Sequence, residues 1–73
     1  MKREILLRRL DEAEQSIAES KAFIAQQQRL IVESERDGQD ASETMRLLEK
    51  FLMLQQSREE NRAKIVDELY ESS

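Results

Sequence analysis

The chain lacks cysteine, histidine and proline, and it has a single glycine among its 73 residues. Without cysteine and histidine it has no disulfides, no cysteine metal sites, and neither the commonest metal ligand nor the usual general base. Nucleotide-binding loops need several glycines, and a Ser-His-Asp arrangement needs a histidine, so both are excluded. We therefore predict a protein that is not an enzyme and that uses neither a cofactor nor a metal ion.

Long apolar runs are missing too. The longest is residues 51–54, Phe-Leu-Met-Leu, far short of the roughly 20 residues that cross a bilayer. The first nine residues include basic side chains but no extended apolar stretch, which is not the pattern of a secretory signal. The default expectation is a cytoplasmic protein that does not bind membranes.

The charge balance is acidic, with 12 Lys and Arg, 16 Asp and Glu, and a formal net charge of −4. This field repels nucleic acid phosphates, so binding to DNA or RNA is disfavoured. One local basic cluster is an exception to this acidic balance, and it consists of Lys2, Arg3, Arg8 and Arg9. A small nucleic-acid-associated regulator that uses this segment stays open as the alternative function.

Strong helix formers dominate what is present, and hydrophobic and charged residues each make up 38% of the chain, as in long helices and coiled coils. The lone glycine, Gly38, can close a helix in the left-handed conformation. Asp40 and Glu43 follow with the spacing of a capping box, in which Asp40 accepts from the Glu43 amide. This predicts a single helical hairpin with helices near 2–37 and 40–71 and a turn at 38–39.

Apolar residues recur at heptad spacing in the first half, at Leu10, Ile17, Ile24 and Ile31. This pattern predicts a coiled-coil-like seam. Across a short turn the second helix runs back antiparallel, which places Ile24 opposite Leu52. We therefore predict an all-α, antiparallel two-helix hairpin.

The apolar stripes are wider than one neighbouring helix can cover. The surplus side chains predict a second interface, at which two hairpins form a four-helix bundle homodimer or the hairpin docks another protein. The residues assigned to this interface are Phe23, Leu30, Leu47, Leu48, Phe51 and Leu52.

Polar residues interrupt the stripe of the second helix. Gln55, Arg58 and Arg62 occupy apolar positions of the pattern, and the register places the two arginines opposite Ser16, Ser20 and Glu14. One interpretation is that the arginine stems lie on the core while their charged groups reach Glu14 or water. The other is a buried polar layer that fixes the register of a bundle or binds a partner.

Four segments carry a resemblance to a known group of proteins: DEAEQSIAE (11–19), QRLI (28–31), ERDG (35–38) and LLEKF (47–51). In these segments the chain resembles short helical-hairpin proteins of rhizobia and other alphaproteobacteria, which have no established activity. The resemblance implies the hairpin form and no catalytic role. The predicted function is a non-catalytic protein-interaction or oligomerisation module.

Overall fold

The computed structural model describes residues 2–71 and shows two α-helices joined by a short turn. Helix α1 spans Lys2–Arg36 and helix α2 spans Ser42–Glu71, with no strand in this part of the chain. Contacts between the helices run in opposite chain order, because Glu14 meets Arg62 and Phe23 meets Phe51. The predicted all-α, antiparallel hairpin is confirmed, and it measures 55 × 15 × 13 Å.

Gly38 ends α1 in the left-handed conformation, with a φ of 73°. The Gln39 amide donates to the Ser34 carbonyl oxygen at 2.8 Å, and the Gly38 amide donates to the Glu35 carbonyl oxygen at 3.1 Å. These two bonds form a Schellman motif, which satisfies carbonyl groups at the end of the helix. The last helical residue is Arg36, one residue before the predicted end.

Helix α2 begins at Ser42, two residues later than predicted. Its first backbone bond joins the Met45 amide to the carbonyl oxygen of the buried Ala41, so Ala41 holds the cap position. Asp40 therefore lies one residue too early for the predicted capping box. Its carboxylate accepts from the Ser42 amide at 3.0 Å and the Ser42 hydroxyl at 2.5 Å, rather than from the Glu43 amide.

The interface between the helices is narrow and follows the predicted seam of α1. Leu6, Ala13 and Ile65 form a buried apolar cluster, with Leu10 and Leu69 packed against it. Further along the seam the buried residues of α1 are Ile17, Ser20, Ile24 and Gln27. Two rows of α1 side chains, one with Leu6, Ala13, Ser20 and Gln27 and one with Ile17 and Ile24, thus face α2.

The expected pairing of Ile24 with Leu52 is wrong, because Leu52 is 46% exposed. On α2 the half-buried or buried positions near this level are Leu48, Phe51 and Gln55. Their alternating spacing of three and four residues keeps one face of the helix towards α1. Leu52 follows Phe51 by one residue and is rotated away from that face.

Candidate association surface

Arg58 is the main polar link between the helices. From α2 its guanidinium group reaches α1, where Nη1 donates to the carbonyl oxygen of Ser16 at 3.0 Å and to the hydroxyl of Ser20. Ser20 is only 2% exposed, and its small side chain leaves room for the guanidinium group. The register thus brings Arg58 to the serines that the sequence placed opposite it.

Arg62 lies one turn further along α2, and its Nη2 approaches Glu14 Oε1 at 3.2 Å. The two side chains are 45% and 50% exposed. An ion pair this open to water contributes little to stability, typically ~0–1 kcal/mol. Arg58 and Arg62, although adjacent in the pattern, therefore have different environments.

Gln55 completes the polar group on α2, and it is buried. Neither its amide nitrogen nor its amide oxygen has a hydrogen-bond partner among residues 2–71. A buried polar group without a partner costs about 1–3 kcal/mol. Gln55 is therefore a local weakness of the seam at the level of Ser20 and Ile24.

Phe23 and Phe51 pack against each other across the hairpin. Their ring centroids are 4.1 Å apart and the ring planes are inclined by 32°. Both were assigned to a second interface, and the structure places the contact between them inside the hairpin, with each ring half-buried. Leu48 is also half-buried. The assigned residues that remain exposed are Leu30, Leu47 and Leu52.

Two of these leucines share one side of the hairpin. A groove on that side is lined by Arg9 and Ser16 of α1 and by Asn61 and Glu68 of α2. Residues seven apart lie on the same face of a helix. Phe23 and Leu30 follow Ser16 at intervals of seven residues, so they lie on the same side of α1 as the groove. Leu54 and Leu47 precede Asn61 at the same intervals and lie on that side of α2.

We call Phe23, Leu30, Leu47 and Leu54 the leucine face. Its three leucines are each 40–41% exposed, and it occupies the half of the hairpin nearest the turn. Leu54 is not among the interface residues predicted from the sequence, although its spacing of seven from Leu47 is a signal that identifies it.

The other side of the hairpin is mixed in character. It is lined by Glu14 and Lys21 of α1 and by Glu59 of α2. Steps of seven lead from Lys21 to the exposed Gln28, and from Glu59 to the exposed Leu52. We call this side the opposite face. By the same steps Leu52 leads to the exposed Met45 and Glu14 leads to the exposed Leu7, so this side carries apolar side chains together with the charged Glu14, Lys21 and Glu59.

The turn brings two acidic side chains to the start of α2. Hydrogen bonds from the Ser42 hydroxyl and then the Ser42 amide lower the pKa of Asp40 below its ordinary value of 3.8. Glu43 is exposed in the first helical turn, where a negative charge interacts favourably with the helix dipole.

The basic cluster of Lys2, Arg3, Arg8 and Arg9 lies at the open end of the hairpin, and all four side chains are exposed. Arg9 shares its groove with Glu12, Lys64 and Glu68. Acidic groups therefore stand beside at least part of this cluster, which reduces its attraction for phosphate.

Neither helix of the part of the chain that the structure describes is long and apolar enough to cross a membrane. Comparisons with protein-family models, with curated proteins and with solved structures found no match to this chain.

Proposed function

We propose that this chain is a non-catalytic interaction module whose first partner is a second copy of itself, in a four-helix bundle. The observation that carries the proposal is the exposed apolar surface near the turn. Leu30, Leu47 and Leu54 lie together on one side, and a contiguous patch of this kind marks association more often than single exposed residues do.

The surface area of the hairpin supports the same proposal. The chain exposes 5879 Å², whereas a compact monomer of its mass, 8.6 kDa, exposes about 4,700 Å². The excess of roughly 1,200 Å² exceeds the ~800 Å² that each partner buries in a standard interface. Pairing two hairpins would give each helix a second neighbour and bring the surface close to that of a compact protein.

Thermal unfolding at different protein concentrations tests the proposal. If unfolding is coupled to dissociation, Tm rises with concentration by mass action. For a dimer of this size, a hundredfold increase in concentration raises Tm by about 10 °C. Circular dichroism at 222 nm follows the transition.

A monomeric hairpin gives a Tm that does not depend on concentration, and this result would contradict the proposal. The variant Leu47→Gln keeps the helix but replaces one leucine of the exposed patch by a polar residue. We expect its Tm to lie below that of the native chain at the same concentration, because removing apolar contact area weakens the dimer.

A further inference from the structure

The side of the hairpin that carries the leucine face is apolar in one half of its length and charged in the other. The apolar half, nearest the turn, carries Leu30, Leu47 and Leu54, and the half nearest the open end carries Arg9, Glu12, Lys64 and Glu68 in one groove. Within residues 2–71 none of these four charged side chains forms an ion pair in its own hairpin. Their charges are available to a partner.

The register of the two helices determines where each of these charges lies along the long axis of the hairpin. Arg62 meets Glu14 and Arg58 meets Ser16 and Ser20. The same register places Arg9 level with Glu68, and Glu12 level with Lys64. Each level therefore holds one positive and one negative residue, on different helices.

We propose that a second copy of this chain covers the leucine face with its turn at the same end, related by a two-fold axis parallel to the long axis of the hairpin. This inference rests on the proposed function, and it adds which face pairs and in which orientation. In this arrangement α1 of each copy lies beside α2 of the other. Leucines meet leucines, Arg9 faces Glu68 of the partner subunit, and Glu12 faces Lys64 of the partner subunit.

The two head-to-tail arrangements fit less well. A full-length head-to-tail pair would set the leucines of each copy against the charged half of the other, which strands charges on an apolar surface. A half-overlapped pair would join the leucines alone. A face of 55 by 15 Å is about 800 Å², the share of one partner in a standard interface, and half of it falls in the range of crystal contacts.

Spin labels test the orientation, and the absence of cysteine makes a single engineered label unambiguous. Glu4 is exposed at the open end, so the variant Glu4→Cys carries the label there. Turn-to-turn pairing places the two labels of a dimer within about 30 Å, twice the 15 Å width of the hairpin. Either head-to-tail arrangement separates them by about its 55 Å length or more.

Matched leucine variants test the face. We expect the double variant Leu47→Gln, Leu54→Gln to weaken dimerisation by roughly tenfold or more, since it removes apolar contact area from the interface. Leu52→Gln changes a leucine of similar exposure on the opposite face, and we expect less than about a threefold change. Sedimentation gives the dissociation constants.

These outcomes separate this inference from the proposed function. Dimers with label distances near 55 Å, or dimers that Leu52→Gln weakens as much as the double variant does, overturn the orientation or the face and leave self-association intact. A labelled chain that stays monomeric overturns both proposals.

Discussion

Arg58 on α2 and Ser20 on α1 form a hydrogen bond across the hairpin, and the same guanidinium nitrogen also donates to the Ser16 carbonyl oxygen. The bond occupies a position where the apolar pattern of α2 is interrupted. Arg58 is half-buried, and bonds to charged groups in such places are stronger than those between neutral groups.

Replacing Arg58 by Leu should therefore lower the free energy of unfolding by about 1–2 kcal/mol, because the buried Ser20 hydroxyl loses its partner. The double variant Arg58→Leu, Ser20→Ala should recover most of this loss, since both polar groups are then removed. Urea unfolding at one fixed protein concentration measures both. If Arg58→Leu is as stable as the native chain, the arginine only lies along the core and its bond contributes nothing.

Arg62→Leu is the matched control for this experiment. Its ion pair with Glu14 is half exposed, so we expect a change within ~0.5 kcal/mol. A loss as large as that of Arg58→Leu would mean that exposure does not distinguish the two arginines.

Gln55→Leu should raise the free energy of unfolding by about 1–2 kcal/mol, because it replaces a buried amide that has no partner among the described residues. Gln56→Leu is its neighbour and control, with an exposed side chain that bonds Glu60, and we expect little change. Urea unfolding at one protein concentration compares the two variants, and the mass should be checked for both, since polar core residues can set the oligomeric state. A less stable Gln55→Leu variant of unchanged mass would show that the amide is satisfied in solution.

Substitutions of Gly38 should rank by their tolerance of positive φ. A Cβ atom added there would meet nothing within 4 Å, so the cost is backbone strain alone. We expect Gly38→Ala to lose about 1–2 kcal/mol, Gly38→Val to lose more because it is β-branched, and Gly38→Asn to lose least. Chemical denaturation of the three variants checks this order. Equal stability of the valine and asparagine variants would place the strain elsewhere.

The turn also predicts a weak dependence of stability on pH. Because the pKa of Asp40 is lowered in the folded chain, its contribution is present above pH 3.8 and is lost as pH falls through the lower, folded value. A nuclear magnetic resonance titration should find the Asp40 pKa below 3.8, and Ser42→Ala should move it back up. An unchanged pKa in Ser42→Ala would show that the hydroxyl bond does not hold the carboxylate in its ionised form.

Sequence patterns were sufficient for the existence of the two helices and for the turn between them, because each of these depends on local chemistry. Gly38 marks the end of α1 through its conformational freedom, and the heptad spacing in α1 identifies a row in which Ile17 and Ile24 are buried and Leu10 and Ile31 are half-buried. Within residues 2–71 the two helices pack only against each other, so few long-range contacts compete with these local signals.

Side-chain environments could not be predicted as well, since they depend on rotations of a few tens of degrees about the helix axis. The sequence pattern places Leu52 opposite Ile24, but the side of α2 that faces α1 carries Phe51 and Gln55. Phe23 and Phe51 were expected on an outer surface, but they stack on each other. The start of α2 was misplaced because Ala41, which has no capping side chain, holds the cap position and Asp40 bonds to Ser42.

Sedimentation equilibrium of the native chain is the most direct test of self-association through the exposed apolar surface. The account predicts a mass of twice 8.6 kDa at a protein concentration of about 100 µM. The mass should return towards that of the monomer on dilution, or in the double variant Leu47→Gln, Leu54→Gln. A mass of 8.6 kDa at every concentration up to about 100 µM would contradict it.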